Sequence, residues 1–258
     1  ECAEAGVQLM VGTRVLSVAK DAGFVVETSA GAIEAEAVVV ATGGLSIPKM
    51  GATGFGYGLA EQFGLRVVEC RPGLVPLVFS AEDRDRWCDL AGVSAEVIAE
   101  AGARKRRGIF REKMLVTHRG LSGPAVLQVS SYWRPGEAVT MDLAPEMEVM
   151  APLLERNARR DAAAAVAALR AVLPGRMAER WVALHEPADW TNASLAKMEQ
   201  QLHAWAMTPA GTEGYAKAEV TAGGVDTAEL DAKTMQSRKV PGLYFIGEVV
   251  DVTGWLGG

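Results

Sequence analysis

Residues 243–258 read LYFIGEVVDVTGWLGG, an apolar run that enters glycine at Gly247 and ends in a second glycine-bearing turn. Glycine at the end of a strand lets backbone come close to a ligand. In an open parallel sheet, ligands lie beyond the carboxyl ends of the strands. Asp251 follows Gly247 by four residues, placed to accept a hydrogen bond from a sugar-type hydroxyl. The closing TGWLGG offers backbone N–H groups as a helix start does, which favours an electron-rich group such as a phosphate or a ring carbonyl. The stretch VVVATGG, 38–44, repeats the design: an apolar strand running into Ala41, Thr42, Gly43 and Gly44. The two together point to a nucleotide-cofactor site; the competing reading is that these glycines only allow tight turns.

Working outward, GVQLMVG and RVLSVAK alternate apolar positions. GFVVETSAG followed by AIEAEAVVVATGG predicts a hairpin feeding an inner strand, Ala37 to Ala41, that is apolar on both faces. Tyr57 to Phe63 reads as helix, with Gly64 as its stop. From Arg71 the texture changes to short β-type runs separated by GLSGP and RPGE, although AVLQVSSYW fits a short helix equally well. After Pro145 the chain turns alanine-rich and helical. One long helical run is expected up to Pro174-Gly175, and a later helix begins behind a Thr/Asn cap at 191–192. Strand texture returns in YAKAEVTAGGVDTAEL and GLYFIGEVVDV. The expected division is a first α/β part at 1–73, an inserted β-rich part at 74–145, an inserted helical part at 146–211 and a second α/β part at 212–258.

Composition narrows the function classes. The chain has 258 residues with 26 basic and 32 acidic side chains, a net charge of −6, which argues against a nucleic-acid partner. No apolar stretch approaches the roughly 20 residues of a membrane span, and ECAEAGVQLM is not a signal peptide; a cytoplasmic protein without membrane contact is expected. Cys2, Cys70 and Cys88 are an odd, scattered set without CxxC, read as reduced thiols. Three scattered histidines give no expectation of a metal site.

The motifs LVTHRGLSGPAVLQVSSYW (115–133), AEVTAGGV (218–225) and TMQSRKVPGLYFIGE (234–248), with ATGG, occur in one order along nearly the whole chain. They resemble the BaiN/RdsA-type (aminoacetone-oxidase-like) NAD(P)/FAD-dependent oxidoreductase flavoproteins. The resemblance implies a FAD/NAD(P)-binding Rossmann-like domain interrupted by the β-rich and helical insertion. It also implies a flavin reduced by NADPH or NADH that passes electrons to a small organic substrate or to oxygen. Family motifs would set Ala41, Thr42, Gly43 and Gly44 against FAD. Gly247 and Glu248 would lie near the pyrophosphate or ribityl chain, and Asp251 on a ribityl hydroxyl. Gly254, Trp255, Leu256, Gly257 and Gly258 would lie over the pyrimidine end, and Val15 would offer backbone to the adenine. The family's opening GxGxxG and its closing helix are not in this sequence, so a fragment that holds FAD weakly or not at all is expected. Phe55 stands where the family commonly has Asp.

Other residues carry weaker signals. His118 is a proton donor or a turn residue; His185 and His203 read as packing or surface residues. Between Arg104 and Lys113 lie six positive charges, read as a solvated hairpin turn rather than a 2′-phosphate clamp or an RNA patch. Trp255 stacks near the flavin or fills the glycine turn. The rival to an oxidoreductase is a non-catalytic module whose insertion recognises a protein or RNA partner; it rests on this Arg/Lys run alone, and charge reversal at Arg106 and Arg107 separates the two readings.

Overall fold

The structure, a computed structural model, describes residues 2, 4–103 and 106–256. Internal packing divides the chain into two compact units. One comprises Glu1–Gly44, Ala52–Cys70 and Gly223–Val252; the other comprises Leu45–Gly51, Arg71–Ala222 and Thr253–Gly258. No helix among the described residues is long and apolar enough to cross a membrane.

The first unit begins with an antiparallel meander of β1 (Val15–Lys20), β2 (Phe24–Thr28) and β3 (Gly31–Ala35). Helix α1 (Phe55–Gln62) docks on it: Phe63 meets buried Phe24 edge-on at 6.3 Å, and Gln62 Nε2 donates to the Val18 carbonyl at 2.8 Å. Next to this lies a parallel ladder in which β4 (Val38–Val40) pairs with β14 (Leu243–Phe245). The expected apolar strand is present and pairs with β14, yet Val39 is 55% exposed, so among the described residues the face it points from is not covered. GVQLMVG forms no strand despite its alternation, and Val11 is 95% exposed. Strand periodicity has no consequence without a neighbouring ladder to take up the backbone N–H and C=O groups.

The second unit is an antiparallel sheet in the order β11-β10-β7-β8-β9-β6-β12. Its strands are β6 (Leu77–Val78), β7 (Ser94–Ala101), β8 (Gly108–Val116), β9 (Gly120–Ser122), β10 (Val139–Asp142), β11 (Trp205–Met207) and β12 (Gly211–Thr212). β7 alternates outward Glu96 with buried Ala95, Val97 and Ala99, the period of a sheet with one packed face. The ambiguous AVLQVSSYW stretch is a helix, α3 (Pro124–Ser130), with Pro124 in its first turn, where a missing N–H costs nothing. Helices α2 (Ala81–Trp87), α6 (Gly175–His185) and α7 (Asn192–His203) bring buried residues into the core shared with the sheet. Trp87 and Trp181 meet Trp205 there at centroid distances of 4.9 and 6.2 Å.

The alanine-rich run is two helices, not one. Asn157 takes a left-handed φ of 62°, and Arg160 Nε donates to the Leu153 carbonyl at 2.8 Å at the end of α4 (Ala151–Leu154). Asp161 then accepts from the Ala164 N–H at 2.9 Å, starting α5 (Ala162–Leu169). The Thr191 cap on α7 forms as read, with Ser194 N–H donating to its hydroxyl at 3.3 Å. The second unit is entered along β5 (Val67–Gly73) and left along β13 (Val220–Val225), which pair as a two-stranded sheet.

His203 ties α7 to the sheet, with Nδ1 2.8 Å from Asp142 and Nε2 2.9 Å from Glu199. Glu199 also accepts the Val149 and Met150 N–H groups at 2.9 and 2.6 Å. Burial draws the imidazole pKa down, but the hydrogen bonds to Asp142 and Glu199 outweigh it and leave the value above 6.5. Folding therefore favours the protonated ring. Its stabilisation is full below the unfolded imidazole value and is lost as pH rises through the folded one. Denaturant melts from pH 5.5 to 8.5 should show the wild type losing stability relative to His203→Gln above the ordinary imidazole value; parallel curves would remove this brace from the account.

Candidate functional site

In the first unit the carboxyl ends of β4 and β14 lie side by side, joined by the Ile246 N–H donating to the Val40 carbonyl at 3.0 Å. Ala41, Thr42, Gly43 and Gly44 leave one strand; Gly247, Glu248 and Asp251 leave the other. The Asp251 N–H donates to the Val225 carbonyl at 2.8 Å, which ties the end of β13 into the same cluster. Gly43 and Gly247 have φ of 72° and 76°, and nothing lies within 4 Å of the place a β-carbon would take at either. Both turns thus present open backbone in a conformation that glycine adopts without strain.

A third wall was missed in the sequence. The first turn of α1 meets these loops at Gly56, where a β-carbon would lie 2.9 Å from Val249 Cγ2, 3.3 Å from Val40 Cγ1 and closer still to Thr42 Oγ1. The helix approaches this near only because residue 56 has no side chain. Its N-cap, Gly54, offers no side-chain acceptor, and the first turn carries no acid; the Phe55 N–H reaches the Thr53 hydroxyl at 3.5 Å, and the N–H groups that follow suit an electron-rich ligand. The signal is present in TGFGYG, where Gly56 follows Phe55.

The donor set is thus backbone N–H from two glycine turns and a helix start, with the half-exposed carboxylate of Asp251 beside them. That fits a dinucleotide cofactor such as FAD, whose phosphates, carbonyls and hydroxyls are met by N–H donors and one acid. Val15 stands apart, exposed at the start of β1 in the meander. Cys70, at the edge of the unit, has its thiol pKa raised by burial, with Asp251, Glu61 and Glu69 acting in the same direction against a hydrogen bond with Tyr57. Such a thiol is a poor nucleophile at neutral pH. Cys2 and Cys88 are also free.

Gly254, Trp255 and Leu256 pack in the second unit. The Leu256 N–H donates to Gln128 Oε1 at 3.4 Å, and Trp255 sets its ring edge-to-face with Phe110 at 5.8 Å. They border a cavity of about 170 Å³ whose walls include Arg71, Arg106, Arg134 and Tyr132. Gly257 and Gly258, also expected at the cofactor, lie outside the described residues, as do Arg104 and Lys105 of the basic run. The rest of that run is a hairpin between β7 and β8, and its arginines are paired: Arg106 with Glu137 at 2.6 Å, Arg107 with Glu100, and Arg111 with Glu96 and Glu146 at 2.9 and 3.0 Å. His118 is exposed on the β8–β9 turn, which the Thr117 N–H closes onto the Gly120 carbonyl at 2.8 Å. His185 stacks on Trp181 at 3.9 Å and donates from Nδ1 to its carbonyl; burial, first of all, lowers its pKa.

Paired strand ends with open glycine turns and a helix start are those of an α/β nucleotide-binding fold, and the comparisons agree. The chain belongs to the family described as HI0933-like protein Rossmann domain, which it matches over residues 1–258. Over 266 residues it is 47% identical to the ribosomal RNA dihydrouridine synthase of Escherichia coli (strain K12), covering 100% of this chain and 65% of that protein. The protein of the same name from Haemophilus influenzae is 40% identical over 100% of this chain and 66% of its own length. The 3-dehydro-bile acid delta(4,6)-reductase of Clostridium scindens is 30% identical over 98% of this chain and 65% of its own. The chain thus spans about two thirds of the length of the relatives it matches. None of the three is named as an aminoacetone oxidase. Two are named for ribosomal RNA, which overturns the expectation of no nucleic-acid partner: a net charge of −6 does not exclude RNA from this family.

Gly56 and Gly58 share α1 and separate packing from propensity. Gly58→Ala meets nothing within 4 Å and should stabilise by about 0.5–1 kcal/mol. Gly56→Ala should destabilise by about 1–3 kcal/mol through overpacking, and urea melts of both variants check it. Equal effects would mean that helix and strands do not meet at Gly56.

Proposed function

We propose that this protein is a FAD-dependent oxidoreductase that reduces uridine to dihydrouridine in ribosomal RNA, with NADPH or NADH as electron donor. The observation that carries this reading is the 47% identity, over the whole chain, to a ribosomal RNA dihydrouridine synthase. The cluster at the ends of β4, β13 and β14 supports it, since its donors suit FAD. In this reading the first unit supplies the cofactor part: Ala41–Gly44 and Gly247 lie against FAD through backbone, Glu248 sits near its ribityl or pyrophosphate portion, and Asp251 accepts from a ribityl hydroxyl. Val15 meets the adenine by backbone. The second unit recognises the substrate.

The chemistry is one reduction. Dihydrouridine differs from uridine by two hydrogens across a C=C bond conjugated to a carbonyl. The balance is one hydride and one proton added per NAD(P)H oxidised to NAD(P)⁺, and bound FAD supplies the carrier for that hydride. The protein's own contribution is to hold both partners and keep water away. A second reading, reduction of a steroid-type conjugated ketone, has the 30% identity to the bile acid reductase in its favour. The two share a bond type, so one assay distinguishes them.

The purified protein should show a flavin absorption band that bleaches anaerobically on adding NADPH or NADH. Ribosomal RNA lacking dihydrouridine should then gain it, read by nucleoside mass spectrometry. A colourless full-length protein that FAD cannot reconstitute would sink the oxidoreductase reading. A bleachable flavin that leaves RNA unchanged but reduces a 3-oxo-4,6-diene steroid would move the protein to the second reading.

A further inference from the structure

We propose that Thr221 is a positioning residue for the cofactor: its buried hydroxyl fixes the chain where it leaves the Ala41–Gly44 turn, and so holds the N–H groups of that turn ready for FAD. This rests on the reading that the ends of β4 and β14 bind FAD, and Thr221 acts through the turn rather than on the cofactor itself.

The turn is held at both ends. Where it begins, β4 pairs with β14, and the Ile246 N–H donates to the Val40 carbonyl at 3.0 Å. Where it ends, the Thr221 hydroxyl accepts the N–H of Leu45, the residue directly after Gly44, at 2.7 Å, and it lies 3.1 Å from the Ser46 hydroxyl. A threonine hydroxyl has two acceptor lone pairs and one proton, enough to serve both neighbours. Thr221 is 1% exposed, and removing a partner at such depth costs more than removing one at the surface. Two residues past Leu45, the Ile47 N–H donates to the Tyr215 carbonyl at 2.9 Å. Ile47 has φ 52° and ψ 64°, a left-handed conformation that a β-branched residue rarely adopts. Such a conformation persists where surrounding bonds over-determine it, and the bonds at Leu45 and Ile47 do so here. Between the two anchors Gly43 has φ 72° and open space where a β-carbon would stand. The ends of so open a turn decide where its N–H groups point.

The strand that carries Thr221 is itself fixed. β13 runs from Val220 to Val225, and the Val225 carbonyl accepts the Asp251 N–H at 2.8 Å. One strand thus holds two loops of the candidate site, Leu45 by a side chain at Thr221 and Asp251 by backbone at Val225. Glycines seat this strand closely on β5. A β-carbon at Gly73 would lie 3.2 Å from Val220 Cγ2, and one at Gly223 would run into the Glu69 carbonyl and lie 3.0 Å from Cys70 Cα. A hydroxyl on a strand so placed has a defined position. The ordering cost of the turn is then met on folding rather than on binding, which is what pre-organisation contributes to affinity.

The test compares Thr221→Val, which keeps the shape of the side chain and loses the acceptor, with Thr221→Ser, which keeps the acceptor, in the full-length protein. FAD affinity is read by quenching of flavin fluorescence, the state of the turn by hydrogen exchange over Gly43–Ile47 without FAD, and stability by urea melts. Thr221→Val should weaken FAD binding about tenfold and speed exchange in that segment, and Thr221→Ser should restore most of both. Ser130→Ala controls for a purely structural loss: its hydroxyl, 2% exposed, accepts the Val75 N–H at 2.9 Å and donates to the Leu127 carbonyl at 2.7 Å. It should lower stability as Thr221→Val does and leave FAD affinity within about twofold of wild type. FAD loss in Ser130→Ala or in Thr221→Ser equal to that in Thr221→Val overturns the proposal. The wild type carries a check that needs no variant to fold: an unprotected Leu45 amide in the absence of FAD overturns it as well. A wild type that takes up no FAD refutes the cofactor reading and the proposal with it. A wild type that binds FAD, with Thr221→Val binding it equally well, refutes the proposal alone.

Discussion

The parallel ladder that sets Val38, Val39 and Val40 beside Leu243, Tyr244 and Phe245 joins residues some two hundred positions apart. As free chain, closing such a loop costs on the order of 5 kcal/mol, since the cost grows with the logarithm of length. The fold lowers that cost by returning the chain to where it left. β5 leads into the second unit and β13 leads out of it, and the two pair with each other. Gly73 in β5 lies so near Val220 and Ala222 that a β-carbon there would be 3.2 Å from Val220 Cγ2. An insertion whose ends are already together behaves, for the ladder, like a short connection.

The cofactor cluster is a consequence of that ladder. Adjacent parallel strands end on the same side, so Ala41–Gly44 and Gly247–Asp251 emerge as neighbours, and neither turn alone would form a cradle. Gly56 lets α1 close against both loops, and Val225, bridged in parallel to Val250, adds the next strand end. Function and packing share residues here: Val249 and Val250 are buried, while Gly247, two positions earlier, is exposed. The backbone serves the ligand while the side chains serve the core. This explains why no catalytic acid or base announces itself in this part of the sequence.

How much could be read without coordinates follows the same division. Local rules gave the Thr191 cap, the glycine stop after α1 and the β7–β8 hairpin, because each depends on neighbours within a few residues. The long alanine-rich run was misread as one helix because Asp161 competes as a cap inside a window whose composition favours helix everywhere. GVQLMVG was misread because alternation states which face would be buried but not whether a partner strand exists. Gly56 was passed over because a packing glycine and a flexible glycine look alike in sequence; what tells them apart is Val249, nearly two hundred residues on. TGWLGG was read as a turn offering N–H groups as a helix start does; in the structure the Leu256 N–H donates to Gln128 and Trp255 meets Phe110.

Charge shows most clearly where a sum misleads. The six-cation run drew attention as the basic feature of the sequence, and the net charge of −6 argued against RNA, yet neither quantity bears on a pocket. Arg107 and Arg111 pair with Glu100, Glu96 and Glu146 on or beside the hairpin, so much of the run's positive charge is met where it arises. Arg71, Arg106 and Arg134, far apart in sequence, line one cavity of the second unit. A phosphate responds to the field within about a Debye length, roughly 8–10 Å in physiological salt. Over that distance the number of carboxylates facing a cavity matters and the number in the whole chain does not. An acidic protein that acts on RNA is therefore no contradiction.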